Sequence, residues 1–152
     1  MSSGIEAALE TGHVGLNVSN LERSKNFYLA VLGLEVARES LAEGRRFVFL
    51  SDGGKTVLTL WEQSHGSFQT AQPGLHHLSF RAESIEAVRA VEQKLRSLNV
   101  PFIYEGIVPH SEGAHSGGVF FEDPDGIRLE VFSPSGVNTM APTPGAPSCG
   151  FF

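Results

Sequence analysis

The chain repeats itself. His13-Val-Gly-Leu-Asn-Val18 lines up with His77-Leu-Ser-Phe-Arg-Ala82, and each stretch is followed by a helix start, Asn20-Leu-Glu-Arg23 in the first copy and Ser84-Ile-Glu-Ala87 in the second. Further along, Phe47–Trp61 aligns without a gap onto Gly118–Phe132. Internal repetition constrains a fold more than composition does, because each copy must be the same supersecondary unit.

The unit can be read residue by residue. Asn20 and Ser84 are residue types that accept from the first free amides of a helix, and Glu22 and Glu86 suit the positive end of the helix dipole. The first helix is expected to run to Leu32 and stop at Gly33, with Leu21, Phe27, Tyr28, Val31 and Leu32 on its apolar stripe. The second carries Ile85, Val88, Val91, Leu95 and Leu98 and should end at Asn99, before Pro101. A strand is expected after each helix, at Leu34–Arg38 and Phe102–Gly106. Then come two strands around a turn, Asp52-Gly53-Gly54 in one copy and Asp123-Pro124-Asp125-Gly126 in the other.

The expected architecture is therefore α+β: two βαβββ modules forming a curved, barrel-like mixed sheet of eight strands, with the helices outside. One domain is expected over residues 12–133, with modules at 12–63 and 75–133 and a linker broken by Gly66, Pro73 and Gly74. In the tail, 134–152, Pro134, Pro142, Pro144 and Pro147 imply extended chain, and the apolar end Cys149-Gly-Phe-Phe152 suggests docking.

Several functions are excluded early. The net charge is −6 and no basic run exists, so neither a nucleic acid nor an anionic membrane surface is an expected partner. No apolar run approaches the roughly 20 residues that span a bilayer. The start, Met1–Glu6, lacks the layout of a signal peptide, and a single cysteine, Cys149, cannot form an internal disulfide. A cytoplasmic location is expected.

Strand parity then selects a site. Side chains alternate faces along a strand. If Val14, Leu16 and Val18 meet the helix, His13, Gly15 and Asn17 face away. By the same rule His77, Ser79 and Arg81 face away, as do Val57, Thr59 and Trp61, and Arg128, Glu130 and Phe132. His13, His77 and Glu130 thus share one face. Two imidazoles and a carboxylate suit Zn²⁺, Fe(II), Mn²⁺ or Ni²⁺ with positions left open for a substrate. His76 points to the helix side.

These segments carry a likeness. His13–Val36 resembles the opening module of glyoxalase I and its relatives. Leu75–Glu83 and Phe120–Pro134, with the Asp-Pro-Asp-Gly turn leading to Glu130, resemble the first and last strands of the second module. The chain resembles the vicinal-oxygen-chelate group of glyoxalases, bleomycin-resistance proteins and extradiol dioxygenases over about 120 residues.

The resemblance implies metal ligands at His13, His77 and Glu130. The fourth position falls on Thr59, where glyoxalase I has a glutamate, so that four-ligand site is incomplete here. The three-ligand pattern is similar to extradiol dioxygenases, although Phe120 stands where they have a tyrosine and His115 lies close before it. It is also similar to fosfomycin-modifying enzymes, for which Arg81 and Arg128 are possible parts of a cationic pocket. Bleomycin-resistance proteins hold a drug without metal, and Trp61, Phe132, Phe47, Phe49 and Phe68 could line such a groove.

Two classes of function follow. The first is a divalent-metal-dependent lyase, isomerase or dioxygenase acting on a small molecule with two adjacent oxygens. Its catalytic groups would be Glu130 and His115, with His110 as a further candidate base. Thr59, Trp61, Arg128 and Phe132 would be its substrate-contacting residues. The second is a sequestering protein without turnover. The loop Val108–Gly118, rich in Gly and Ser, is of a kind that can be a mobile lid. A homodimer is expected in either case.

Overall fold

The computed structural model describes residues 8–137. The tail beyond Val137, including Cys149–Phe152, lies outside the described residues. The first module comprises β1 (Val14–Val18), α1 (Leu21–Leu32), β2 (Glu35–Ser40), β3 (Phe47–Asp52) and β4 (Lys55–Glu62). The second comprises β5 (Leu78–Arg81), α2 (Ile85–Ser97), β6 (Val108–Pro109), β7 (Gly117–Glu122) and β8 (Arg128–Ser133). The βαβββ order therefore occurs twice.

The helix ends are set by the residues the repeat singled out. Asn20 accepts from the Arg23 amide at 3.0 Å and Ser84 from the Ala87 amide at 3.2 Å. Gly33 closes α1 with φ 66°, its N–H donating to the Leu29 carbonyl. On α2, Ile85, Val88 and Leu95 are buried, whereas Leu98 is exposed because the helix has ended before it.

The strands form two four-stranded mixed sheets, ordered β1-β4-β3-β2 and β5-β8-β7-β6. In each, the first and last strands of the module pair in parallel and the rest of the ladder is antiparallel. Among the described residues no ladder joins the two sheets, so the eight strands do not close into a hydrogen-bonded barrel. Parity holds: Leu16, Val18, Leu58, Leu60, Leu129 and Val131 enter one core with Tyr28, Val31, Val88 and Leu95.

Two local expectations change. Phe102–Gly106 is not a continuous strand. Phe102 makes one bridge to Phe121, Ile103 donates to the Phe120 carbonyl, and Gly106 then turns with φ 66°. The ladder resumes at Val108–Pro109 against Gly118 and Gly117. The segment read as a Gly- and Ser-rich loop is a β-hairpin, closed by the His110 amide on the Ser116 carbonyl at 3.0 Å.

The modules are clasped at the turn before β8. The Tyr28 hydroxyl on α1 donates to Asp123 at 2.7 Å, and Asp123 also accepts from the Asp125 and Ile127 amides. Asp125 accepts from the Ser19 hydroxyl and amide and from Arg23. Burial raises the Tyr28 phenol well above its ordinary range, and the nearby Asp123 charge adds to this. Tyr28→Phe keeps the ring and leaves a buried carboxylate short of one donor. It should cost about 1–3 kcal/mol, read as a lower urea midpoint with an unchanged m-value.

Glu62, at the end of β4, has a structural task. Its Oε2 accepts from the Leu21 amide at 2.7 Å, at the start of α1, and its Oε1 pairs with Arg46 at 3.1 Å. The Leu21 amide, together with Arg46, outweighs partial burial and holds the carboxyl below its ordinary 4.5. A lowered folded-state value means stability that is present above the ordinary value and lost as pH falls through the folded one. Glu62→Gln should therefore lower the urea midpoint at neutral pH, and its deficit against wild type should shrink on acidification below 4.5. An equal deficit at all pH values would contradict this.

Candidate functional site

The open face of the second sheet gathers the polar groups. Register places Glu130 opposite Ser79 on one side and Phe120 on the other. Phe132, two residues on, stands opposite Arg81 and Gly118. Glu130 is 6% exposed, an unusual position for a carboxylate unless it is paired. It is paired: His110 Nε2 lies 3.2 Å from Oε2, and His77 Nε2 lies 3.7 Å from Oε1.

The electrostatics follow from this packing. Burial acts to raise the Glu130 carboxyl, but hydrogen bonds from His110 and Ser79 and the charges of His110 and His77 outweigh it. The carboxyl is held below its ordinary range. Burial lowers the His77 imidazole, against the pull of Glu130, with His76 and Arg128 adding to the lowering. An ionised carboxylate beside a neutral imidazole is the protonation state a divalent ion needs. The His77–Glu130 pair therefore fits a metal by the chemistry of its donors.

His13 stands apart from this pair. It is exposed, immediately before β1. Its neighbours Thr11, Gly12 and Val14 line a cavity of about 530 Å³ together with Leu78, Ser79 and Phe80, which follow His77. The starts of β1 and β5 thus face one another across that cavity. Among the described residues no group of three or more His, Cys, Asp or Glu side chains is assembled to hold a metal ion. The structure brings together two of the three expected ligands.

The remaining candidates are placed as follows. Thr59 is buried and its hydroxyl accepts from the Trp61 indole at 3.0 Å. Trp61 packs with Phe47 and Phe49, ring centroids 5.2 and 5.8 Å away. This aromatic platform lies on the open face of the first sheet, with Arg38 over Phe47. Arg128 donates from Nε to the His76 carbonyl at 3.0 Å, tying β8 to the start of β5. Phe132 packs against the His110 ring at 5.3 Å. His115 is exposed near the hairpin tip, where its carbonyl accepts from the Val137 amide.

Ser79 and the pairing of His110 with Glu130 were not singled out from sequence. Parity already placed Ser79 on the site face. The His110 contact depends on β7 pairing with β6 on one side and β8 on the other, which brings side chains from opposite edges of that strand together.

Comparison with known proteins agrees with the fold. Residues 11–131 match the family model of the Glyoxalase/Bleomycin resistance protein/Dioxygenase superfamily. The chain is 31% identical over 124 residues to the trivalent organoarsenical cleaving enzyme of Bacillus sp. (strain MD1), covering 82% of this chain and 73% of that protein. It is 30% identical over 133 residues to the lactoylglutathione lyase of Neisseria meningitidis serogroup B, covering 85% and 94%. Among solved structures, a glyoxylase/bleomycin resistance protein/dioxygenase domain from Frankia sp. EAN1pec superposes with a TM-score of 0.69 at 25% identity, covering 82% and 91%. Repeated modules, paired sheets and a matching family model over nearly all the described residues give one conclusion: the chain belongs to the glyoxalase, bleomycin-resistance protein and dioxygenase superfamily.

Proposed function

We propose that the chain is a divalent-metal-dependent enzyme acting on a small molecule with two adjacent oxygens, by a lyase, isomerase or dioxygenase type of reaction. The observation that carries this reading is the buried, ionised Glu130 facing His77 on the open face of the second sheet. Keeping such a charge out of water is costly unless a partner ion or proton compensates it. Relatives named as a lyase and as an organoarsenical-cleaving enzyme support an enzyme over a passive binder.

His77 and Glu130 would hold the ion, with His13 as the third ligand drawn from the opposing edge of the cavity. When bound, the ion would act as a Lewis acid toward the paired substrate oxygens. Glu130 would also accept a proton from the substrate. His115 would be a second base, available if the hairpin tip folds over the face. Thr59, Trp61, Arg128 and Phe132 would form the walls around the substrate. Elemental analysis of untagged protein, followed by Mn²⁺ titration, tests the proposal. About one ion per chain is expected; no binding of any divalent ion above the imidazole pKa would overturn it.

A sequestering role is the second reading, favoured by the clustered rings of Phe47, Phe49 and Trp61. It predicts metal-independent binding of a small aromatic molecule that quenches Trp61 fluorescence.

The protein should work as a homodimer. β2 is the outer strand of its sheet, and Val36 on it is exposed. Unpaired strand edges invite a partner. Light scattering at micromolar concentration should give the mass of two chains, and a monomer mass would refute this.

A further inference from the structure

We infer that His110 is a positioning residue that turns Glu130 into a one-oxygen ligand. The inference rests on the metal-dependent reading above. An ionised carboxylate can only accept hydrogen bonds, so the contact of 3.2 Å to Glu130 Oε2 requires a proton on His110 Nε2. With the single ring proton on Nε2, the other nitrogen is left to accept. Ser116 Oγ lies 2.9 Å from Nδ1 and supplies the proton for it. The donation therefore runs from the Ser116 hydroxyl to His110 Nδ1, and from His110 Nε2–H to Glu130 Oε2.

Two consequences follow. First, both ring nitrogens of His110 are engaged, so it offers no free lone pair to a substrate. The candidate base of the sequence reading is here a bracket. Second, His110 occupies Oε2, while Oε1 faces His77 at 3.7 Å. The carboxylate presents one oxygen toward the imidazole it would share an ion with.

The bracket is itself rigid. The His110 amide is bonded to the Ser116 carbonyl, so backbone and side chain close the same hairpin step. The ring packs against Phe132 at 5.3 Å and Phe120 at 6.3 Å. Ser79, across the ladder from Glu130, also hydrogen-bonds the carboxylate. Groups of this kind, which orient a ligand without touching the ion, typically change metal affinity ten- to hundredfold when removed.

Two substitutions separate positioning from packing. His110→Phe keeps an aromatic ring between Phe120 and Phe132 and removes the N–H. His110→Gln sacrifices the ring but can restore an N–H near the position of Nε2. Mn²⁺ affinity, read from free Mn²⁺ by electron paramagnetic resonance, should fall about ten- to hundredfold in H110F and only a few-fold in H110Q. The reverse order, with H110F near wild type and H110Q impaired, would overturn the inference and leave His110 a packing residue.

Nitrogen NMR of the metal-free wild type gives a second readout, independent of metal binding. The His110 ring should carry its proton on Nε2, the nitrogen that faces Glu130. An Nδ1–H tautomer would refute the bracket, even if the variants lost metal. Should the wild type bind no ion at all, the proposed function fails. The tautomer measurement would still decide the His110–Glu130 bond.

Discussion

Glu130→Gln should yield a folded protein that no longer retains a divalent ion. The substitution preserves the volume of a side chain that is 6% exposed, and the amide oxygen can still accept from His110. What disappears is the charge. On the proposed reading, an ion held by His13, His77 and a neutral amide would lose its only anionic ligand, and affinity should drop more than about hundredfold, beyond the loss expected from an orienting residue. Circular dichroism should be unchanged, which separates loss of the ion from loss of the fold. Affinity in the wild type should also fall as pH drops, because ligands must shed protons to bind. A Glu130→Gln protein with full metal stoichiometry would remove Glu130 from the site.

Gly118→Ala should be the most destabilising alanine substitution among the described glycines. A Cβ there would lie 2.0 Å from the Val131 carbonyl oxygen and 2.6 Å from the Phe132 Cα. Both are backbone atoms of the neighbouring strand, so no side chain can swing aside. Gly118 pairs with Val108 on one side and Phe132 on the other, so the strain falls on both ladders of β7. The cost should exceed about 4 kcal/mol, above the usual range for a point substitution. It should appear as loss of soluble protein or of a cooperative urea transition. Gly12→Ala is the control: nothing lies within 4 Å of the added carbon, and the stability should not change measurably. A wild-type-like urea curve for Gly118→Ala would mean that β7 and β8 are farther apart than the ladder implies.

Much of this was legible in sequence for local reasons. Caps at Asn20 and Ser84, the stop at Gly33, and the alternation of Val14, Leu16 and Val18 depend on a few adjacent residues. They survive folding because tertiary contacts reinforce them. Parity also put His77, Ser79 and Glu130 on one face. The failures were non-local. Phe102–Gly106 has the composition of a strand, but its backbone pairing to β7 is confined to the Phe102 bridge and the Ile103 amide before the turn at Gly106. The hairpin at His110–Ser116 reads as a loop because Gly113, Gly117 and Gly118 are loop-type residues. Two of these three are glycine because strands pass too close for a Cβ, not because the chain is loose. The distance of His13 from the Glu130 cluster is a matter of how the two modules meet, which no periodicity encodes.

The clasp between α1 and the turn before β8 also sets a clock. Tyr28 and its acceptor Asp123 are 95 residues apart, and Ser19 and Asp125 are separated by 106. At a synthesis rate of about 5–20 residues per second, α1 waits roughly 5–20 s on the ribosome before the chain that receives its phenol exists. During that interval the first module has its caps and its sheet, but Tyr28 has no acceptor and half of the shared apolar face has no cover. A nascent chain arrested before residue 123 should therefore be bound by chaperones or cut by added protease, while one extended past the clasp and clear of the exit tunnel should resist both. The clasp and the shared core favour one cooperative unfolding transition over two, since each module packs against the other.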